Sequence, residues 1–445
     1  MKWNQGLNLA PVVLASALAF AAGAAQSQTL LSQTTWGSGV GYDLARGVAL
    51  APDGSSYVLA DTESFTVDGF GNPRYAIGLL NFDSNGVLAW QKVWTGLTPG
   101  ASGIARAADG SIYISGTASA NNGDALLLKF DASGNLLWQR SWGEDFDGEA
   151  GNAVATSADG FVYLAGTRRT DHGGGPASLF IVKFDANGGV VWQKESPGAF
   201  SAAVTAAADG SVYLAGIRPR AADPFSQYDV LALKISAAGD LVWDKTYSAG
   251  EIVDARGGIA ATPDGGVAIA GAIQAAKGGL VGIAALLVKL DLNGDLVFGR
   301  EWGGRVGDAA SAIAVAPDGS IYLAGQSSSY GVGGDAFVVH VAANGKGAEA
   351  ATWGGSGLEG VGGVAVAADG TVALAASTPT AAPYSLLEAP RRVSGVKGTL
   401  AVAGADWVAA AGETADPAAT VIDSSGTSMF GGFYDTALVR FRLIP

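Results

Sequence analysis

Short apolar runs separated by turn-forming residues recur along the chain, and none keeps the spacing of an amphipathic helix. A representative unit has the run Ala312–Val315, the turn Asp318-Gly319 and the alternating run Ile321–Ala324. Asp-Gly between two such runs is typical of a tight hairpin, because its residues tolerate the positive φ that the turn requires. After the hairpin, each unit has a third apolar run and a fourth; in the unit with the Asp109-Gly110 turn these are Ala125–Phe130 and Leu136–Trp142. The pattern predicts four short antiparallel strands per unit.

The unit repeats at intervals of about 50 to 56 residues, which suits one four-stranded blade of a β-propeller. The Asp-Gly turn begins at Asp53, Asp109, Asp159, Asp209, Asp264, Asp318 and Asp369, and a degenerate eighth copy spans Ile422–Thr427. The positions that mark the fourth strands also number eight, aromatic in every case except Ser196, with the last at Trp407. We therefore expect an all-β propeller of four-stranded antiparallel blades, with eight blades favoured. Seven blades is the alternative, if Ser377 to Gly432 is an insertion.

The two ends of the chain carry complementary parts of one blade. Leu30–Trp36 has the pattern of a fourth strand with no hairpin before it, and Thr436–Arg442 has the pattern of a third strand. Pairing of the N-terminal strand with the C-terminal blade would close the ring and remove exposed sheet edges.

An apolar run near the N-terminus predicts export. Lys2 precedes the apolar stretch Leu7–Ala21, and the small residues Ala22-Gly23-Ala24 follow it, which is the pattern of a secretory signal peptide. We expect a signal peptide at 1–24 and a single propeller domain at 28–445. The protein would then be located in the periplasm or outside the cell.

Composition narrows the functional classes. The 445 residues include no cysteine, so disulfide scaffolds and cysteine nucleophiles are excluded. A net charge of -14 argues against a nucleic-acid partner, because phosphate binding requires a clustered positive surface. No later run is long enough to span a bilayer, so we expect no membrane insertion, and we expect a monomer.

Three segments carry a resemblance to a known family. Asp109–Gly116, Leu127–Asp131 and Trp138–Gly143 follow the pattern Asp-x-Gly-Asn-x-Tyr-x-x-Gly, then Phe-x-x-Lys-Phe/Leu-Asp, then Trp, although Asp109–Gly116 matches it imperfectly. The chain thus resembles the bacterial seven-bladed β-propeller repeat family, which is usually found in exported proteins. The resemblance implies a fold more than an activity, and eight units would be a departure from it.

Hairpin geometry assigns the loops to two faces of the ring. The turns between strands one and two and between strands three and four are short. The loops between strands two and three and between successive blades vary, and we call their side the variable-loop face. Variable loops on a rigid scaffold commonly carry binding residues. The candidate ligand-binding residues on this face are Glu144, Asp145, Asp147, Glu149, Arg168, Arg169, His172, Arg218, Arg220, Asp254, Asp308 and Glu359.

Two chemistries fit these candidates. The acid-rich loops, densest at Glu144–Glu149, suit a divalent cation such as Ca²⁺ or a cationic ligand, unless they are simply solvated. The arginines, with His172, suit a carboxylate or sulfate, again unless they are simply solvated. We expect no cofactor, with Ca²⁺ as the ion to test. Four aspartates that open third strands are interpreted as scaffold residues, and the tryptophans as core: Asp124, Asp229, Asp335 and Asp435.

No catalytic residue is predicted. His172 and His340 do not have metal-ligand spacing, and no serine lies in a nucleophile elbow. The run Asp131–Trp138 is similar to the tryptophan-docking motif of quinone-dependent dehydrogenases, but it is one residue shorter. We expect a non-enzymatic binding or scaffold protein for a protein or glycan. The alternative is a carbohydrate-active hydrolase or lyase that uses acids at the mouth of the channel.

Overall fold

The computed structural model describes most of the chain between residues 28 and 443. The described ranges are 28–37, 42–63, 75–95, 100–118, 123–144, 147–170, 176–220, 228–255, 257–277, 280–330, 334–355, 357–379 and 434–443, with six short segments between 385 and 423. The predicted signal peptide lies outside these residues. Within them there is no helix long and apolar enough to cross a membrane.

The described residues form antiparallel four-stranded blades. Blades 1 to 3 consist of β2–β5 (Asp43–Leu50, Ser56–Thr62, Ala76–Phe82, Leu88–Thr95), β6–β9 (Gly100–Arg106, Ile112–Ala118, Asp124–Phe130, Leu136–Gly143) and β10–β13 (Gly148–Thr156, Val162–Arg169, Ala177–Phe184, Val190–Pro197). Blades 4 to 6 consist of β14–β17 (Phe200–Ala206, Val212–Pro219, Tyr228–Ile235, Leu241–Asp254), β18–β21 (Ile259–Ala261, Val267–Lys277, Leu280–Leu290, Leu296–Trp302) and β22–β25 (Asp308–Val315, Ile321–Ser327, Asp335–Val341, Ala348–Gly354). Blade 7 consists of β26 (Gly360–Val366), β27 (Thr371–Thr378), β34 (Asp435–Leu443) and β1 (Gln28–Trp36).

The ring closes after seven blades in the part of the chain that the structure describes. The inner strand of each blade packs beside the inner strand of the next, and β26 of blade 7 packs beside β2 of blade 1. β1 pairs with β34, as the phase of the two ends indicated. The prediction of eight blades was wrong. The eighth turn copy begins inside the four-residue strand Thr420–Asp423, which pairs with β5 of blade 1, and Trp407 lies outside the described residues.

Six short strands between β27 and β34 form a belt around the ring instead of an eighth blade. Its six strands add a fifth, antiparallel strand to blades 6, 5, 4, 3, 2 and 1 in that order. They are β28 (Ser385–Ala389), β29 (Ser394–Gly395), β30 (Thr399–Val402), β31 (Val408–Ala409), β32 (Glu413–Ala415) and β33 (Thr420–Asp423). We call residues 385–423 the belt.

The belt follows the rim near the variable-loop face. Ser385 pairs with Gly354 at the end of β25, and Thr420 pairs with Thr95 at the end of β5. An outer strand with no neighbour would present unpaired N–H and C=O groups to other chains. The belt therefore covers part of six outer edges.

The turns and tryptophans have the predicted roles. At the first hairpin, the Gly54 N–H donates to the Ala51 carbonyl at 3.0 Å, and Gly54 has a φ of 83°. The second aromatic residue of each outer strand is buried between blades in five cases: Trp36, Trp94, Trp142, Trp302 and Trp353. The Trp142 indole N–H donates to Gln193 Oε1 of the next blade at 3.0 Å, and the Trp94 indole donates to Gln139 at 3.2 Å. These tryptophans are core residues that join neighbouring blades.

Candidate functional site

Arg168, at the end of β11, is the centre of an ion-pair network on the variable-loop face. Its guanidinium lies 2.5 Å from Glu144 Oε2, 2.7 Å from Asp147 Oδ2, 2.9 Å from Glu195 Oε1 and 3.3 Å from Glu149 Oε1. Burial alone would lower the pKa of Arg168, but hydrogen bonds to Asp147 and Glu195 outweigh it and raise that pKa. The predicted acidic cluster and a predicted anion-binding arginine thus bind each other.

The other candidate arginines have different neighbours. Arg220 Nη2 lies 2.6 Å from Asp229 Oδ1. Arg218 is half-buried, and burial lowers its pKa although Asp244 opposes that change. Arg169 is exposed, with its guanidinium carbon 5.9 Å from the centre of the Phe200 ring. Anion binding by these residues stays a prediction.

Some predicted site residues are not described. Asp145 and His172 lie outside the described residues, and so does the side chain of Asp254, the last residue of β17. Among the described residues, no group of three or more His, Asp or Glu side chains could hold a metal ion. An ion site there would need two carboxylates together with other oxygen ligands.

Four blade junctions bury an acidic side chain at the start of the inner strand. Asp43, Asp308 and Glu359 are 0% exposed and Glu149 is 1% exposed. Their interpretation as solvated loop acids is therefore wrong. At each of these junctions a Trp-Gly pair lies at the end of the preceding outer strand, and its glycine comes five or six residues before the acid. The pairs are Trp36-Gly37, Trp142-Gly143, Trp302-Gly303 and Trp353-Gly354. The other three junctions lack the Trp-Gly pair, and none of their described side chains is a buried acid at the start of the inner strand.

The glycine leaves room for a pair of carboxylates. A Cβ added at Gly354 would lie 2.6 Å from Glu359 Oε2 and 2.7 Å from Asp335 Oδ1. A Cβ at Gly143 would lie 2.7 Å from Glu149 Oε2 and 3.1 Å from Asp124 Oδ1. Any larger residue would therefore collide with both acids.

The third junction with such a pair has the same construction. A Cβ at Gly37 would overlap Asp435 Oδ1 and lie 2.7 Å from Asp43 Oδ2. In all three, the N–H of the junction acid donates to the carbonyl just before the third-strand aspartate, as from Asp43 to Tyr434 at 3.0 Å. Three of the aspartates interpreted as scaffold, Asp124, Asp335 and Asp435, thus face a second acid. Sequence reasoning missed these pairs, although Trp-Gly followed by an acid was a usable signal.

Burial perturbs two of the junction acids strongly. It raises the pKa of Glu149 to about 7, although the positive charge of Arg168 opposes the rise. It also raises the pKa of Glu359 to about 7; the nearby Gly355 amide opposes the rise and the negative charge of Asp335 adds to it. Near neutral pH, both carboxyls are therefore poised between their charged and neutral forms.

An aromatic patch lies on the same face where blade 7 meets blade 1. Tyr42 is 38% exposed and Tyr75 is 50% exposed, and they are the only large aromatic side chains exposed to this degree among the described residues. Tyr434 stacks against Tyr42 with ring centroids 6.1 Å apart and planes 22° apart. The Tyr75 hydroxyl donates to Glu63, which raises the pKa of Tyr75, and the Tyr42 backbone N–H lies 3.4 Å from Glu63 Oε2. Sequence reasoning missed this patch, since no repeat distinguishes it.

Comparisons with known proteins identify no close relative. No protein-family model and no curated protein sequence matches the chain. Among solved structures, a protein of unknown function from Dyadobacter fermentans is 10% identical with a TM-score of 0.42, over 85% of this chain and 100% of its own. A Synechocystis apocarotenoid oxygenase is 13% identical with a TM-score of 0.35, over 84% of this chain and 95% of its own. These similarities are too distant to support an argument about function, so the resemblance to the exported repeat family stays a prediction.

Proposed function

We propose that the protein is an exported, non-enzymatic binding module that holds a glycan on its variable-loop face. The propeller fold fits a binding or scaffold role, because it presents loops on a rigid ring. The observation that carries the glycan assignment is the aromatic patch of Tyr42, Tyr75 and Tyr434 around Glu63.

The patch combines the two kinds of contact that a sugar ring needs. The apolar faces of pyranose rings pack on exposed aromatic rings, and sugar hydroxyls donate to carboxylate oxygens. Glu63 also holds the Tyr75 side chain by accepting from its hydroxyl, and the Tyr42 ring is held by stacking on Tyr434. A side chain that is already held in place loses less conformational entropy on binding.

The alternative of a hydrolase or lyase gains no support from the carboxylate pairs. Glycoside hydrolysis uses two carboxyls that flank the scissile bond and therefore must reach the substrate. Asp335 and Glu359 converge, but they are 2% and 0% exposed. A polysaccharide on the surface would not contact them.

The test measures retention and turnover on a panel of soluble polysaccharides by affinity electrophoresis and reducing-end release. We expect wild-type retention without release. Loss of two stacking rings in the Tyr42→Ala/Tyr75→Ala variant should weaken retention about tenfold or more. Leu137→Ala is the matched control, since Leu137 is 53% exposed and lies at the start of β9, away from the variable-loop face.

Each outcome separates the candidate functions. Release of reducing ends would overturn the non-enzymatic proposal. Equal retention by the double variant and the control would overturn the assignment to the aromatic patch. Absence of any retention would overturn the glycan proposal in favour of a protein partner. Export is tested separately by locating the full-length protein in cell fractions, and recovery from the cytoplasm alone would contradict it.

A further inference from the structure

The buried carboxylate pairs differ in what lies beside them. Between blades 2 and 3, Glu149 faces Asp124, and Arg168 Nε lies 3.3 Å from Glu149 Oε1. Arg168 is also the residue that pairs with Glu149 in the β10–β11 ladder. At this junction the chain supplies its own cation, the guanidinium, from a defined register position.

The junction between blades 6 and 7 has a hydroxyl at that register position. Thr378 lies one step beyond the Gly360–Ser377 pair of the β26–β27 ladder, opposite Glu359. Neither oxygen of Glu359 makes a hydrogen bond of regular geometry to a described residue, and the buried Thr378 Oγ1 makes none either, although the Gly355 amide and the Thr378 hydroxyl are near enough to oppose the rise in the pKa of Glu359. Glu359 also forms no ion pair with a described residue. A fully buried carboxylate thus points, with Asp335, into the space beneath Gly354.

The junction between blades 7 and 1 repeats this arrangement. Asp43 faces Asp435 beneath Gly37, and Thr62 occupies the register position opposite Asp43. The Thr62 hydroxyl lies 2.5 Å from Asp43 Oδ1. Two consecutive junctions therefore combine two acids with a threonine, where a third junction has an arginine; Asp335, Glu359 and Asp43 are buried, and Asp435 is half-buried.

We propose that these two junctions each bind a divalent cation of the Ca²⁺ type, with Glu359, Asp335 and Thr378 as ligands in one and Asp43, Asp435 and Thr62 in the other. Two carboxylates buried in one space repel each other unless a positive charge compensates them. Calcium prefers carboxylate, hydroxyl and carbonyl oxygens in flexible geometry. The Gly334 and Tyr434 carbonyls, which accept from Glu359 and Asp43, lie at the same junctions.

The remaining acidic junction supplies an internal contrast. Asp308, between blades 5 and 6, accepts from the Gly304 N–H at 2.7 Å and from the Ser327 hydroxyl at 2.5 Å. No aspartate opens the third strand of blade 5, which begins at Leu280. Asp308 is thus a single, hydrogen-bonded carboxylate. The proposal predicts two cation sites per chain and none at this junction.

Terbium luminescence tests the proposal directly, because Tb³⁺ replaces Ca²⁺ and emits when a nearby tryptophan is excited. Trp353 and Trp36 each precede the glycine that covers a proposed site. For full-length protein stripped with chelator at neutral pH, we expect two Tb³⁺ ions per chain with sensitised emission. Millimolar Ca²⁺ should displace them and raise the melting temperature.

Conservative variants separate the two sites from general acidity. Glu359→Gln and Asp43→Asn should each reduce the stoichiometry from two ions to one, and the double variant should bind none. Glu149→Gln is the matched control, because Arg168 occupies that junction, and it should still bind two ions. Near-ultraviolet circular dichroism checks that each variant is folded.

Three results would overturn the proposal. The first is wild-type protein that neither sensitises Tb³⁺ nor gains thermal stability with Ca²⁺, which would mean that a shared proton neutralises each pair. The second is a Glu149→Gln variant that loses ions as Glu359→Gln does. The third is a folded Glu359→Gln variant that keeps two ions. The wild-type experiment decides the question even if a variant fails to fold.

Discussion

Removing the belt tests what it contributes to the ring. β27 ends at Thr378 and β34 begins at Asp435, whereas the equivalent strands of blade 2 are joined by the five residues 119–123. Replacing residues 379–434 with that five-residue loop should therefore leave an ordinary blade 7. The seven blades keep all their internal strands in this variant, while six outer strands lose a neighbour.

The expected loss of stability is small. Belt strands pair with each blade through two to five residues. Each hydrogen bond contributes about 1 kcal/mol net, while ordering each belt residue costs about 1 to 2 kcal/mol of backbone entropy. The two effects nearly cancel, so the melting temperature should change by only a few degrees. The main consequence should be self-association, because exposed strand edges pair with one another.

Calorimetry and light scattering after size exclusion measure these two effects. The belt-less variant should melt close to wild type and form concentration-dependent oligomers. Leu400→Pro is a matched control, since Leu400 pairs with Tyr247 and the change disturbs the belt at blade 4 alone. A variant that stays monomeric at high concentration would refute the edge-protection argument. A fall in melting temperature above about 10 °C would refute the cancellation of energies.

Three further predictions concern the blade junctions. Burial raises the pKa of Glu149 from 4.5 to about 7, so the folded state favours the protonated carboxyl. Protonated Glu149 therefore stabilises the fold at low pH, and this contribution is lost as the pH rises through about 7. Glu149→Gln should remove a pH dependence of about 3 kcal/mol from the urea unfolding free energy, and equal pH slopes would contradict this. Trp142→Phe should cost about 2 to 3 kcal/mol in the same assay, because it empties buried volume and removes the indole hydrogen bond to Gln193 Oε1. It should cost more than Trp138→Phe, since Trp138 is half-buried. If glycan and Ca²⁺ both bind, Ca²⁺ should strengthen glycan retention, because its ligand Asp43 adjoins the patch residue Tyr42. Asp43→Asn should abolish that effect, and retention that does not change with chelator would refute the coupling.

The repeat could be predicted from the sequence because local signals determine it. Asp-Gly turns impose hairpins such as the one at Gly54, and tryptophans four apart place one ring between blades, as Trp142 shows. The blade number was not local information. The 56 residues 379–434 have the length of one repeat, but the belt strands within them gain neighbours from six different blades instead of from each other. Only the tertiary pairing distinguishes an insertion of this length from a degenerate blade.

The site was predicted in composition but not in arrangement. Acids at the start of inner strands were identified, yet their partners come from the third strand of the preceding blade, about 25 residues earlier for Glu149 and Glu359. Arg168 was expected to bind an external anion, but its four carboxylate neighbours come from the cluster Glu144–Glu149 and from Glu195 on β13. Distances of this kind do not follow from the periodicity of a single strand.

Three of the four buried junction acids lie on one side of the ring. The junctions between blades 5 and 6, 6 and 7, and 7 and 1 are consecutive and each buries an acid, the fourth acid is Glu149 between blades 2 and 3, and the junction between blades 3 and 4 has no acid at the equivalent position. A scaffold requirement would apply to every blade alike, because each junction must pack the same pair of sheets. Acids confined to a subset of equivalent positions therefore indicate a local task. The aromatic patch lies at the end of this arc, which makes the junction of blades 7 and 1 the first place to seek a ligand.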